Sequence, residues 1–442
     1  MRKPEDIVEK QVRRKPDAQE GVALLMVLIC LAIIIPFSAS FNMEARVDWQ
    51  SAVNAGDEVK ARNVHRGALR LSLLLFELQR MVFNQKQFRD FAGTMDITQV
   101  APYLMSVFGS EDGAEGLGAL AGLDTSALNE LSIGKDASFE VRLEAESGKI
   151  NLNCIAQSSD GKGDTPRSRA VETLEALIEP TLYDPLFDEE KADGERYNRQ
   201  QVLSAIVDWI DDDSRMFDLA RLTQSGAPEP YRYEELNDPY QARNSRMDSL
   251  QELHLVEGVD DDFMSAFEGS LSIYGDCKIN LNFASVDQMA WAIRYAVSAN
   301  DKWKTEGDNY LTMVLPLANF VYQNREWSLF KSVEDFDKMV SNPEEYAGGL
   351  LFGAQDEDQP DSNLPLIPTG IEVRTKPGKN NETGDEWKGL ESVATVANER
   401  VYRVEITTEV GAVRKRLTAI YDMQYARSQG SGKGAWIYYR EE

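Results

Sequence analysis

From Val22 to Ile35 every side chain is apolar apart from the small thiol of Cys30, and the apolar run reaches Phe41 with only Pro36, Ser38 and Ser40 intervening. Roughly 20 such residues cross a hydrocarbon layer as a helix. Beyond Phe41, apolar and small positions (Val53, Val59, Val64, Ala68, Leu71, Leu75, Leu78, Val82) recur at helical spacing, with no proline before Pro102. The pattern predicts one helix to about Met81, a spine about 90 Å long, half in lipid and half packed on a domain. Gly56 and Gly67 are candidate bends, and Gly109 to Gly122 reads as a glycine-rich loop.

The period then changes. Phe139, Val141, Leu143 and Ala145 alternate with Glu140, Arg142 and Glu144, which predicts a strand buried on one face. Ser147-Gly148 turns the chain into K-I-N-L-N at Lys149–Asn153, a pentapeptide that returns unchanged at Lys278–Asn282. Between the copies the signals are helical. Thr165-Pro166 caps V-E-T-L-E-A-L-I, a second helix ends in Val202–Ile210, and a third pair surrounds Leu250–Asp260. After the second copy, Ser285 opens a capping box, helical signal runs from Asn309 to Val340 with Ser332 as a cap, and Gly348–Thr369 and Lys376–Gly389 read as loops. Strands follow at Val401–Val410, Val413–Asp422 and Ala435–Tyr439, the first two flanking Gly411-Ala412 as a hairpin, with Ile371–Thr375 as a candidate edge. The expected class is α+β, with a helical domain spliced into a strand-bearing one.

Charge sets the orientation. Arg2, Lys3, Lys10, Arg13, Arg14 and Lys15 precede the apolar run, and basic residues flanking a first span stay in the cytoplasm, so the long remainder faces outward. Three readings of the run compete. Ser38-Ala39-Ser40 has the small-x-small form a signal peptidase accepts; the run also suits an uncleaved anchor. Finally, Glu20-Gly21-Val22 places a glycine at the cytoplasmic edge of the run and resembles the type IV prepilin leader, cut after Gly21.

At 442 residues the chain has room for two or three domains. Its net charge of −27, most of it between Ile155 and Asp276, repels nucleic acid and attracts divalent cations and basic partners. Cys30 lies in the membrane stretch, which leaves Cys154 just after the first K-I-N-L-N and Cys277 just before the second. If the copies lie as antiparallel neighbours at the neck of an insertion, the thiols meet, and a disulfide is expected in an oxidising compartment. Two buried free thiols are the alternative.

Asp208, Asp211, Asp212 and Asp213 crowd the C-terminal end of an apolar helix, where the dipole is already negative. Hard oxygen ligands suit Ca²⁺, although the spacing lacks the glycine of an EF-hand loop and solvated acids are the ordinary alternative. Asp260-Asp261-Asp262 precedes a helix, where acids cap. L-x-x-L-x-L-x-x-G-V at Leu250 to Val259 has the outline of a helix-hairpin-helix DNA binder, yet it runs into those three aspartates; packing is expected, not DNA. His65 and His254 have no ligand neighbours at metal spacing, and no nucleophile–base motif or P-loop occurs, so no enzyme is expected.

Taken in order, the Gly21 junction, I-N-L-N, D-W-I-D-D-D at Asp208–Asp213, G-A-P-E-P-Y at Gly226–Tyr231, N-D-P-Y-Q-A-R-N-S at Asn237–Ser245, S-L-Q-E-L-H-L-V-E-G-V at Ser249–Val259 and the second I-N-L-N-F-A-S resemble the minor pseudopilin K family of type II secretion systems. The resemblance spans nearly the whole chain. It implies a pseudopilin fold with a long N-terminal transmembrane helix, a C-terminal antiparallel sheet and a large inserted all-helical domain. The expected divisions are a leader (residues 1–21), a spine helix (22–82), an α/β part (83–153), the insertion (154–277), a second helical segment (278–345) and a C-terminal β part (346–442).

The resemblance also implies function. A prepilin peptidase would cut between Gly21 and Val22 and methylate the new amine, leaving a single-pass protein of the bacterial inner membrane with its bulk in the periplasm. Such a subunit would join other minor pseudopilins at the pseudopilus tip and help initiate assembly for protein export across the outer membrane. Met26 stands where most pilin-like proteins carry a glutamate that pairs with the subunit above. A bare carboxylate in lipid is costly, so a subunit with no neighbour above has no use for one. Calcium in the insertion is implied as well, with Asp211, Asp213 and Glu229 as candidate ligands, Asp208 beside them, and Asp238 and Asn244 to complete the shell. Pro228, between Ala227 and Glu229, departs from the family pattern. A minor pilin of a type IV pilus and a secreted calcium-binding module cleaved after Ser40 are the alternatives.

Overall fold

The computed structural model describes residues 18–86, 95–102, 137–157, 165–191, 194–219, 222–229, 233–235, 238–297, 309–327, 329–346, 367, 370–379, 386–424 and 434–442. The basic leader to residue 17, the glycine-rich stretch Gly109–Gly122 and nearly all of Gly348–Thr369 lie outside them.

Helix α1 (Ala18–Leu78) is one 61-residue helix that runs through Pro36 and ends in a π turn at Gln79–Phe83. Residues 21–53 are exposed on every face, as a membrane span requires. Below them a stripe formed by Ala61, His65, Ala68, Ser72, Leu75 and Gln79, with Phe76 beside it, is buried, at the spacing of three and four residues that lines up one helical face. Among the described residues α1 is the one helix long and apolar enough to cross a membrane.

After α1 come β1 (Ala137–Ala145), β2 (Ile150–Asn151), α2 (Pro166–Ile178), α3 (Arg199–Ile210), β3 (Arg215–Asp218), β4 (Thr223–Pro228), α4 (Asp261–Phe267) and β5 (Leu271–Ser272). The remaining principal elements are β6 (Ile279–Asn280), α5 (Val286–Ala296), α6 (Leu315–Trp327), α7 (Val333–Ser341), β7 (Ala394–Thr395), β8 (Val401–Val410), β9 (Val413–Asp422) and β10 (Ala435–Glu441). The main sheet has the order β1-β8-β9-β10, antiparallel throughout. Its inner face meets the buried stripe of α1: Phe76 stacks on Tyr421 at 4.6 Å and lies 5.1 Å from Tyr402. Val141, Val404, Ile406, Leu417 and Ala419 complete this core. The α+β class expected from the sequence is what the chain adopts, a long N-terminal helix laid on an antiparallel sheet with a helical region between its first and second strands.

That helical region has one core, which runs from Ile150 to Ala394 and takes in both stretches that follow a K-I-N-L-N copy. Thr165, Asn198, Ser249, Ser285 and Ser332 close capping boxes on the helical segments they precede, each side chain accepting from a first-turn N–H while a polar side chain reaches back.

The two pentapeptides do not pair with one another, contrary to the antiparallel neighbours expected. β2 pairs in parallel with β5, and β6 in parallel with β7. Each copy does the same work. Asn153 Oδ1 accepts from Met247 N at 2.7 Å while its Nδ2 donates to the Met247 and Ile273 carbonyls; Asn282 Oδ1 accepts from Phe330 N at 2.7 Å while its Nδ2 donates to the Phe330 and Val396 carbonyls. In each, the clamped residue stands two before a capping serine, Ser249 or Ser332. Isoleucine and leucine go to the core and the asparagines satisfy buried backbone groups, which alternation in a short strand permits.

Cys154 and Cys277 form a disulfide, with 5.7 Å between their Cα atoms. They meet because the run that begins with β5 returns beside β2 and ends at Cys277.

The neck between sheet and helical region is polar, and its carboxylates Glu146 and Glu399 are buried. Glu146, buried at the end of β1, accepts from Arg403 Nε at 2.6 Å and from Ser272 Oγ. Glu399 accepts from the Arg400 and Val401 backbone N–H groups and from Ser147 Oγ, and burial pushes its carboxyl up to about 8. In the same turn a Cβ on Gly148 would overlap the backbone carbonyl of Phe283, which follows the second pentapeptide. Gly148→Ala is therefore expected to destabilise the protein by about 2 kcal/mol, read as a lower midpoint of chemical unfolding. An unchanged midpoint would contradict this packing.

Candidate metal centre

Helix α3 buries Val202, Leu203, Ile206, Val207 and Ile210, and Asp208 sits fully enclosed among them. An isolated ionised carboxylate there is costly unless it finds donors or a cation. One donor is local: Phe217 N donates to Asp208 Oδ1 at 2.8 Å, which fixes the start of the β3–β4 hairpin against the helix end. Asp211 ends the helix in extended conformation and is likewise fully buried. The hairpin pairs Arg215 with Pro228, so the next residue, Glu229, is delivered back to the C-terminal end of α3. Ligand oxygens of Asp208, Asp211 and Glu229 lie within 4.8 Å of one another.

These groups have unused capacity. Among the described residues, neither carboxylate oxygen of Asp211 finds a hydrogen-bond partner, nor does Oε1 of Glu229 or the buried Oδ1 of Asn244, a residue held at φ 47° and bonded through its N–H to the Trp209 carbonyl. Among the described residues, Arg167 brings a cation close: its Nη1 stands 3.6 Å from Asp211 Oδ2 and its Nε donates to the Ile155 carbonyl. Burial pushes the Asp211 carboxyl up to about 7, with Asp213, Asp208 and Glu229 adding to it and Arg167 opposing. Burial, then Asp208 and Asp213, push Glu229 up to about 7 as well. Three clustered carboxylates, two of them buried, form a hard oxygen set that fits Ca²⁺.

The remaining expected ligands fall differently. Asp213 accepts from Arg215 N at 2.9 Å, so it shapes the turn into β3 while its charge acts on Asp211 and Glu229. Asp238 is exposed and lies outside the three-carboxylate group. Asp260 caps α4, its side chain accepting from Phe263 N. Arg167 was not foreseen; it comes from the first turn of α2, and no local pattern links it to the aspartates. Gly21, Val22 and Met26 occupy the first turns of α1 and are exposed.

Residues 148–276 match the family described as type II secretion system (T2SS), protein K. That segment contains every carboxylate of the cluster and Cys154, and it ends one residue before Cys277. None of the curated proteins compared matches the chain. Among solved structures, one match is the GspK-GspI-GspJ complex from the type 2 secretion system of enterotoxigenic Escherichia coli, with 16% identity, a TM-score of 0.38, and coverage of 70% of this chain and 80% of that one.

Proposed function

We propose that this chain, whose residues 148–276 match the type II secretion system protein K family, is a minor pseudopilin that is anchored in the inner membrane, keeps its bulk in the periplasm and takes part in assembling the pseudopilus tip for export across the outer membrane. The observation that carries this reading is α1: one unbroken helix, bare over its apolar half and packed on the sheet over the other. A bare half of that length suits lipid or neighbouring helices, and a packed half transmits that anchorage to the globular part. The bulk of residues 150–394 on the far side of the neck would not fit inside a shaft of closely packed helices, which favours a terminal place. In this reading a prepilin peptidase cuts at Gly21, Val22 becomes the methylated N-terminus, and Met26 leaves no buried charge in search of a subunit above. Asp208, Asp211, Glu229 and Asn244 hold Ca²⁺, which supplies the positive charge that the end of α3 and its hairpin need in order to stay closed.

The test is assembly. The full chain should co-purify from detergent-solubilised membranes with the other minor pseudopilins of its system, and deleting it should reduce export with those partners still present. Recovery of the chain alone, with export intact in its absence, would overturn the reading.

A further inference from the structure

Arg167 stands in the first turn of α2, directly after Pro166, where a cation opposes the helix dipole, so α2 itself gains nothing from the charge. Its partners lie elsewhere. Nε donates to the Ile155 carbonyl at 2.8 Å, one residue past the disulfide-bonded Cys154, while Nη1 lies 3.6 Å from Asp211 Oδ2 and Nη2 lies 4.0 Å from Asp212 Oδ1. The side chain is only 12% exposed, so little water screens its charge from the buried Asp211. At 3.6 Å the guanidinium is near enough to attract that carboxylate and too far to hydrogen-bond it. Both Asp211 oxygens thus stay without a hydrogen bond among the described residues.

We propose that Arg167 sets the calcium affinity of the carboxylate cluster, as a resident counter-ion that balances part of the cluster's charge and so weakens its hold on a divalent cation. This rests on the calcium reading of the cluster. A fixed cation repels an incoming one and has already used part of the field that draws it. Ligand charge tunes such sites over decades of affinity, so the cluster exchanges its ion with the free calcium concentration, where three carboxylates without an arginine would retain it.

The test measures calcium binding to the full, disulfide-bonded chain in detergent micelles by competition with a calibrated chelator. Asp211→Asn identifies the binding that belongs to the cluster. Arg167→Gln, and separately Arg167→Met, should each bind calcium about tenfold more tightly, the scale of one partly screened charge. Arg167→Lys keeps the charge and should stay near the wild type. As a second measurement, the rise in the urea midpoint from chelator to saturating calcium should be larger in both neutral variants than in the wild type, a linkage that reports affinity even where the metal-free variant is weakly folded. Neutral variants that bind calcium no more tightly than the wild type, with no larger rise, would assign Arg167 to packing alone and overturn the inference while leaving the metal centre standing. A wild type that binds no calcium through Asp211 would overturn both.

Discussion

In the presence of a chelator, stability falls as pH rises from about 4 to about 7, and added calcium abolishes the carboxylate cluster's share of that fall. The sign follows from the carboxylates of the cluster. Asp211 and Glu229 are pushed up to about 7 in the folded protein, while in the unfolded chain they titrate near 4. Between those values the folded state binds more protons, so raising the pH disfavours it. A folded pKa about three units too high is worth about 4 kcal/mol where fully expressed, and water reaching Glu229 screens part of this, which leaves a loss on the order of 2 to 3 kcal/mol. Bound calcium favours the ionised forms and reverses the argument. Glu399, up at about 8, adds a slope of the same sign. Glu399 bonds in the neck and is not one of the clustered carboxylates, so calcium leaves its share untouched, and the difference between the two curves isolates the metal centre. Urea unfolding at several pH values, with chelator and with calcium, makes the measurement. Asp211→Asn should flatten the chelator curve; coincident curves would remove the metal reading.

Breaking the disulfide has the larger effect. Cys154 and Cys277 close a loop with a sequence separation of 123, and by the chain-entropy model such a closure stabilises by roughly 5 kcal/mol. The bridge joins the end of the first pentapeptide to the run leaving β5, so without it the first helical unit has a wide-open unfolded state to reach. Cys154→Ala with Cys277→Ala should lower the unfolding midpoint steeply and expose the first unit to protease before the sheet. Buried Cys154 leaves little room for alkylation in the folded state, so the reduced protein is tested after denaturation. A double variant with the wild-type midpoint would show that packing, not the bridge, holds this region closed.

Much of this was written locally in the chain. The apolar run, the helical stripe from Ala61 to Phe76, the alternation from Phe139 to Ala145 and the serine and threonine caps all depend on near neighbours, and period and capping chemistry report them directly. The pentapeptides were visible as a repeat, but their partners were not. Leu271–Ser272 and Ala394–Thr395 are two-residue strands in parallel pairs, and so short a pair leaves no periodic trace to read. The cluster divides the same way. Asp208 and Asp211 share one end of one helix and were legible by spacing. Glu229 joins them because β4 folds back on β3, and Arg167 because α2 packs nearby; those are tertiary facts. Asp213 looked equivalent to Asp211 in the sequence, yet two residues move it from the buried helix end to the turn, where it serves Arg215 N.

The central claim is that the apolar half of α1 stays on the mature protein as its anchor in a pseudopilus. Intact-mass analysis of the protein taken from its native membranes tests this most directly. The account predicts a chain that starts at Val22 with a methylated amine. A chain that starts at Phe41 would contradict it, since that cleavage discards the membrane half of α1 and releases the remainder as a soluble module.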